Sequence, residues 1–600
     1  MRRYIYVVLA AWLATPAFSA AQSDTEERIR RIQQGLAPPV LVQGETPAMK
    51  PLAARMTELK VPGLSIAVIH QGRIEWARGF GITRTEGPPV TEQTLFQAAS
   101  ISKPVFALAV LHLVDAGKLN LDANVNDYLK DWKLPDNDFT RQSKVTLRGI
   151  LSHSAGLTVH GFAGYAADAK IPSTTQVLDG TPPANSAAVR ADILPGSRFR
   201  YSGGGYVLAQ QILTDVTGNP LPKLLHDSVL APLGMTRSTF QQPLPAKRLS
   251  EVAMPFRGDG SALQEGPHVY PEMAAAGLWT TPTELAHYAL GVQAALAGKS
   301  KKVISAKTAR DMLTPVIDRQ GLGLHVGGAT ARKYFMHGGA NAGYRCLLIA
   351  YEDGAGAVVM TNSDSGGELM DEVMRSIAHV YQWPDFAPPT RTLARLKPES
   401  LRRFLGVYEL NEGSLYVVRM DGDHLVGNIL GNTPVALLPS SDHELFARDV
   451  NVVVDFVVGA EGSATAVRHN SGGWERTGQR VEESRARQIV AGAERTAQRI
   501  KDQKPASGSD AAIRKLFGGL AIGKADYDSM TPQFAELTRQ NLTRLQPIIA
   551  DLGALKDLTF KSVGDNGADE YEADFEKGAL RIYMGLDEQG RIAGVNFVPR

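Results

Sequence analysis

The chain has 600 residues, 44% of them hydrophobic, and at about 150 residues per domain it is expected to form three or four units around more than one core. Its formal charge of +2 comes without any block of basic residues, which excludes nucleic acid as a partner. The single cysteine, Cys346, excludes an intrachain disulfide, so stability must rest on packing.

Met1-Arg2-Arg3, the apolar run from Tyr4 to Leu13 and the small-residue stretch Ala17 to Ala21 have the three regions of a secretory signal peptide, residues 1–21, with cleavage expected after Ala21. The apolar run falls well short of the roughly 20 residues needed to span a bilayer, so no stable membrane anchor is expected after cleavage. Removal takes two arginines and no acid, leaving 62 basic residues (64 − 2) against 62 acidic ones. A neutral periplasmic or secreted protein is the expectation.

From Leu64 to Gly81, two β-rich runs flank Gln71-Gly72 and read as a hairpin at the edge of a sheet. A helical pattern begins near Ser100; Val105, Leu108, Ala109, Leu111 and Leu113 make it largely apolar, and Gly117 stops it. Residues 158–198, with His160, Phe162, Tyr165 and four prolines, show little periodicity and are expected to drape over a site as a lid. The strand-like run Ala357 to Met360 and a helix from Gly367 to about Tyr381 close this part. Strands enclosing a helix-rich middle fit an α/β sandwich over residues 22–390.

Pro384, Pro388 and Pro389 mark a linker. Short alternating strands from Leu401 to Val481, with turns at Asp421-Gly422 and Glu461-Gly462, predict a small antiparallel β-barrel-like or sandwich domain over 391–482. A charged helix from Glu482 to Lys501 and a disordered-looking connector, Pro505 to Ser509, open the segment 483–600. Helices over 510–552 and strands over Asp569–Phe575, Ala579–Leu586 and Arg591–Val598 follow. This order looks like the α+β module of the NTF2 or cystatin type.

The chemistry is concentrated in three short motifs. In Ser100-Ile101-Ser102-Lys103 the serine and lysine share a face at the start of a helix, where the lysine can hold and relay the serine's proton. Tyr201-Ser202-Gly203 and His337-Gly338-Gly339 follow in the order and rough spacing of three-motif serine acyl-enzymes. With Val61-Pro62-Gly63-Leu64, Leu151 to Leu157, Pro195 to Tyr201 and Pro232-Leu233-Gly234-Met235, the stretch of about 45–385 resembles the class C β-lactamase-like serine hydrolases, which include penicillin-binding proteins, D-aminopeptidases and esterases.

The resemblance implies a β-lactamase/transpeptidase-like α/β sandwich in which Ser100 is the nucleophile and Lys103 with Tyr201 the proton-transfer pair. It implies further that the Ser100 and Ala340 amides form the oxyanion hole and that His337 and Gly339 line the substrate site, with glycine letting the substrate backbone approach closely. Two positions depart from the family's β-lactamases: Gly203 stands where they carry asparagine, and His337 where they carry lysine. Esterase or peptidase action on a small-molecule or peptide substrate is therefore expected ahead of class C β-lactamase activity, with a non-catalytic penicillin- or peptide-binding protein as the alternative from another class. A histidine near its reference pKa of about 6.5 would add positive charge, and a preference for anionic substrates, as pH falls toward 6. His153, Asp364 and Cys346 read as structural; no cofactor and no metal set is implied, and the sequence sets no oligomeric state.

Overall fold

The computed structural model describes residues 16–599 apart from 330–331, 411–413, 472–473, 565 and 588, so most of the predicted signal segment lies outside the described residues. Two compact units emerge, Met1–Pro38 with Pro47–Pro388 and Pro39–Thr46 with Pro389–Arg600. Among the described residues no helix is long and apolar enough to cross a membrane.

The first unit begins with helix α1 (Pro16–Gln34), which runs across the expected cleavage position. Strands β1 (Gly63–His70) and β2 (Arg73–Gly81) form the expected hairpin, with Gln71 and Gly72 both at positive φ (52° and 73°) as a tight hairpin turn requires. Helices α2 (Ser102–Asp115), α3 (Gly203–Thr217) and α4 (Pro282–Leu296) come next. Strands β3 (His325–Ala329), β4 (Arg332–Asn341), β5 (Tyr344–Tyr351) and β6 (Gly356–Thr361) and helix α5 (Gly366–Val380) complete the unit.

The six strands make one antiparallel sheet in the order β2-β1-β6-β5-β4-β3. Its central strands are apolar on both faces because helices cover both. Ala67, Ile69, Leu348 and Val358 pack with α2, α3 and α4, whereas Leu64, Ile66, Val68, Leu347 and Val359 pack with α1 and α5. This period-two alternation into two cores is what makes the domain a sandwich.

In the second unit, eight antiparallel strands close into a barrel: β7 (Gly406–Leu410), β8 (Leu415–Asp421), β9 (His424–Ile429), β10 (Val435–Pro439), β11 (Glu444–Ala447), β12 (Val452–Val458), β13 (Ala464–Ser471) and β14 (Trp474–Arg480). The first and last strands pair at Tyr408 and Arg480, so no edge is left open. The segment 39–46, which the sequence places within 22–390, belongs here: Leu41–Val42 pairs with Thr390–Arg391, and Val40 and Val42 bury against Phe446. Helices α6 (Glu483–Asp502), α7 (Ser509–Ala521) and α8 (Pro532–Leu552) lead to the meander β15 (Leu555–Val563), β16 (Asp569–Phe575), β17 (Ala579–Leu586) and β18 (Ile592–Pro599). The connector at Pro505–Ser509 is held in place, since the Ala506 amide donates to Asp569 at 2.8 Å.

Candidate active site

Ser100 occupies a single 3-10 turn, Ala99–Ile101, that runs directly into α2. Ala99 has φ of +49°, a left-handed conformation that a residue with a Cβ adopts at a cost of about 1 to 2 kcal/mol. The surroundings enforce it. The Ala98 amide donates to the Leu278 carbonyl (2.8 Å), while Ser102 Oγ donates to Ala99 O (2.5 Å) and accepts from the Leu278 amide (2.9 Å). One turn along α2, Lys103 is 2% exposed, and its Nζ lies 3.1 Å from Ser100 Oγ and 2.8 Å from the Ala275 carbonyl.

Tyr201 is fixed by the start of α3. Ser202 caps that helix, its Oγ accepting from the Gly205 amide (2.9 Å) and donating to Thr158 O (2.7 Å). Lys103 Nζ sits 4.9 Å from the centre of the Tyr201 ring, which puts an ammonium against the tyrosine. Three imidazoles surround the same ring, those of His153 (4.1 Å between centroids, stacked), His160 (4.9 Å) and His337 (6.4 Å).

His337 lies on β4 and is buried, with Nδ1 2.6 Å from the Gly338 carbonyl. A carbonyl accepts only, so Nδ1 carries the proton and Nε2 presents a lone pair; Nε2 has no partner among the described residues. Burial, reinforced by the Lys103 charge, lowers the pKa of this ring to about 3. The expectation of a histidine that gains charge toward pH 6 is therefore corrected: His337 stays neutral across the working range. Gly339 abuts the turn before Ser100, where a Cβ would run into the Ala98 carbonyl and Cys346 Sγ. Cys346 itself donates to Ala98 O at 2.9 Å, consistent with a buried structural thiol. Ala340, next on the strand, is exposed.

The sequence-predicted residues thus converge: Ser100 and Lys103 touch, Tyr201 packs beside Lys103, His337 flanks Tyr201, and Gly339 backs the serine turn. Sequence reading missed the Ala275 carbonyl, since a main-chain acceptor leaves no residue signature. It also missed Glu272, fully buried at the head of the same Met273–Ala276 turn. His325, 6.0 Å from His337 between ring centroids, carried no motif that could have flagged it.

Segment 158–198 lies against the site as a tethered wall. The Gly203 and Gly204 amides donate to His160 O and Val159 O (3.0 Å each), and Tyr165 exchanges two main-chain hydrogen bonds with Val269. The Phe162 ring covers Gly203, where an added Cβ would lie 3.0 Å from it. Asp364 orders a turn, accepting from the Gly343 amide (2.9 Å) and pairing with Arg345. Among the described residues no cluster of three His, Cys, Asp or Glu side chains is disposed to hold a metal.

A serine, a lysine one turn later and a tyrosine against that lysine define a serine hydrolase site of the acyl-enzyme type. The Beta-lactamase family matches residues 50–382, more than half of the chain, and the chain belongs to that family of serine hydrolases. It is 23% identical over 442 residues to penicillin-binding protein 4* of Bacillus subtilis (strain 168), covering 68% of this chain and 93% of that one. It is 30% identical over 236 residues to esterase EstB of Burkholderia gladioli, covering 35% and 59% of the two chains. Among solved structures, the octameric penicillin-binding protein homologue from Pyrococcus abyssi aligns with a TM-score of 0.48 and 24% identity over 71% of this chain and 98% of that one.

Proposed function

We propose that the protein hydrolyses neutral esters or amides through an acyl-enzyme on Ser100. The observation that carries this reading is Lys103 Nζ, 3.1 Å from Ser100 Oγ with Tyr201 packed beside it. The Lys103/Tyr201 pair, which holds one ionisable proton between its amine and its phenol oxygen, accepts the hydroxyl proton as a second one while Oγ bonds to the substrate carbonyl carbon, and the carbonyl π electrons move to oxygen, which the Ser100 and Ala340 amides stabilise. Collapse re-forms the carbonyl and breaks the bond to the alcohol or amine, which leaves with the proton. Water then repeats the sequence on the acyl-serine, releasing the acid and restoring the Ser100 hydroxyl.

Esterase or peptidase action is favoured over β-lactamase action by two features. His337 is neutral where the family's β-lactamases carry lysine, and Phe162 occupies the space over Gly203 where they carry asparagine. Relatives with esterase and penicillin-binding names fit that range. The Met1-Arg2-Arg3 start and the apolar run after it support a secreted or periplasmic location. Two helices followed by a four-stranded meander support an NTF2- or cystatin-like module at the C-terminus.

The test is to treat the protein with a fluorophosphonate, map the modified peptide, and measure hydrolysis of an activated neutral ester by wild type and Ser100→Ala. Label on Ser100 and a loss of several orders of magnitude in kcat are expected. A Ser100→Ala protein keeping more than about a tenth of the activity would refute the assignment.

A further inference from the structure

His153 stands outside the three motifs, yet it touches Tyr201 and Ser202 of the second and Arg200 just before it. Its main-chain carbonyl accepts from the Arg200 amide at 2.7 Å, and its Nδ1 accepts from the Ser202 amide at 3.1 Å. Between those two contacts its ring stacks on Tyr201, with centroids 4.1 Å apart and planes at 29°. We propose that His153 is a positioning residue that clamps Tyr201 against Lys103, fixing both the backbone on either side of the tyrosine and the plane of its ring. This inference rests on the assignment of Tyr201 to the proton-transfer pair.

The clamp is rigid. His153 is buried, and its φ of +57° lies in the left-handed region, which a residue with a side chain occupies only when its surroundings over-determine it. Here the Ser152 and Ser154 hydroxyls bond to each other (2.9 Å), Ser152 Oγ donates to Arg148 O (2.8 Å), and the His153 amide donates to Ile150 O (3.1 Å). Tyr206 and Phe199 pack around the imidazole at 5.3 and 6.0 Å, and Tyr206 is itself tied to Leu151 O.

The ring is also in the right state to do this. Accepting at Nδ1 places its proton on Nε2, which has no partner among the described residues, so no competing hydrogen bond pulls the imidazole away. Burial first, then the charge of Lys103, holds His153 neutral. A charged imidazolium would lose its Nδ1 lone pair and with it the contact to Ser202. Tyr201 otherwise sits in a segment without regular structure before the cap of α3, and a proton-transfer group displaced by about 1 Å can lose about 100-fold in rate.

The test uses the full chain and two variants. His153→Asn keeps a side chain that tolerates positive φ and an oxygen able to accept near the Nδ1 position, but loses the stack. His153→Gly keeps only the backbone conformation. With an activated neutral ester, kcat should fall about 10-fold for asparagine and about 100-fold for glycine, with KM within about twofold, since only the proton-transfer geometry has changed. In a cycle with Tyr201→Phe, the His153 substitutions should cost little further once the tyrosine hydroxyl is gone, which a merely structural role would not produce. A folded His153→Asn protein with unchanged kcat, or fully additive losses in the cycle, would overturn the clamp while leaving Ser100 and Tyr201 in place. Wild-type activity in Tyr201→Phe would instead remove the tyrosine assignment and the clamp with it. Should His153→Gly fail to fold, the asparagine variant and its cycle carry the decision.

Discussion

Glu272 offers the sharpest test of how burial sets charge beside this site. It heads the short turn whose Ala275 carbonyl accepts from Lys103, it is 0% exposed, and neither carboxylate oxygen has a hydrogen-bond partner among the described residues. Burial raises its pKa from the ordinary 4.5 to about 7. The unfolded chain releases this proton near pH 4.5 and the folded chain near 7, so the stabilisation is complete below 4.5 and is lost as pH rises through 7. At about 1.36 kcal/mol per pH unit the gap amounts to about 3 kcal/mol, of which about 2.5 falls between pH 5 and 8. The facing phenols do not interfere, because burial raises Tyr165 and Tyr270 to about 12 and both stay neutral in that window. Urea unfolding of wild type and Glu272→Gln at pH 5 and pH 8 isolates the carboxyl, since every other group titrates in both proteins. The glutamine variant should lack the extra loss of about 2.5 kcal/mol on going to pH 8. Parallel pH dependences would show that Glu272 is ionised and solvated in the folded state, and the burial argument would fail.

Three further outcomes follow from the geometry. The kcat/KM ratio for a matched pair of anionic and neutral esters should stay flat from pH 8.5 to 5.5, because His337 remains neutral down to about 3; a ratio rising toward pH 6 would place a titrating imidazole in the substrate pocket. Restoring asparagine at Gly203 should not by itself raise penicillin hydrolysis, since the new side chain meets the Phe162 ring at 3.0 Å and His160 O at 3.1 Å; Gly203→Asn with Phe162→Ala should raise it more than either change alone, as steady-state kinetics would show. A chain of residues 22–390 should fold and take up a fluorophosphonate once Val40 and Val42, which lose the Phe446 side chain they bury against, are changed to serine; a soluble, cooperatively melting product that never labels would mean that the second unit completes the site.

The motifs were legible because each is local: a serine and a lysine one helical turn apart, a tyrosine just before a helix cap, and a glycine pair on a strand. The hairpin at Gln71-Gly72 and the helix α6 were legible for the same reason, from turn chemistry and charge pattern. Strand β15 was not, because Lys556, Asp557 and Lys561 and two breaks in its register interrupt the alternation that marks a strand. The neutral state of His337 was hidden too, since nothing in His-Gly-Gly tells how deeply the ring is buried. His153 shows the same limit from the other side: its sequence neighbours are two serines, and its partners Arg200, Tyr201 and Ser202 lie about fifty positions away, brought together only by the packing of α3 against the turn after Leu147–Leu151.

Placed together, these side chains give the site a charge balance that follows from burial more than from ion pairing. Lys103 donates to two uncharged acceptors, the Ser100 hydroxyl and the Ala275 carbonyl, and no carboxylate pairs with it among the described residues. The imidazoles of His337 and His153 are kept neutral partly by that same ammonium. Negative charge that develops on the serine oxygen or on the tetrahedral intermediate therefore meets an ammonium with which no carboxylate pairs among the described residues. A lysine at position 337 would set a second ammonium in the same pocket and divert part of that field to a substrate's own carboxylate. Histidine instead ties its proton to the Gly338 carbonyl and adds no charge. The field of Lys103 is then left for the reacting atoms, which is the physical reason to expect neutral substrates to be turned over best.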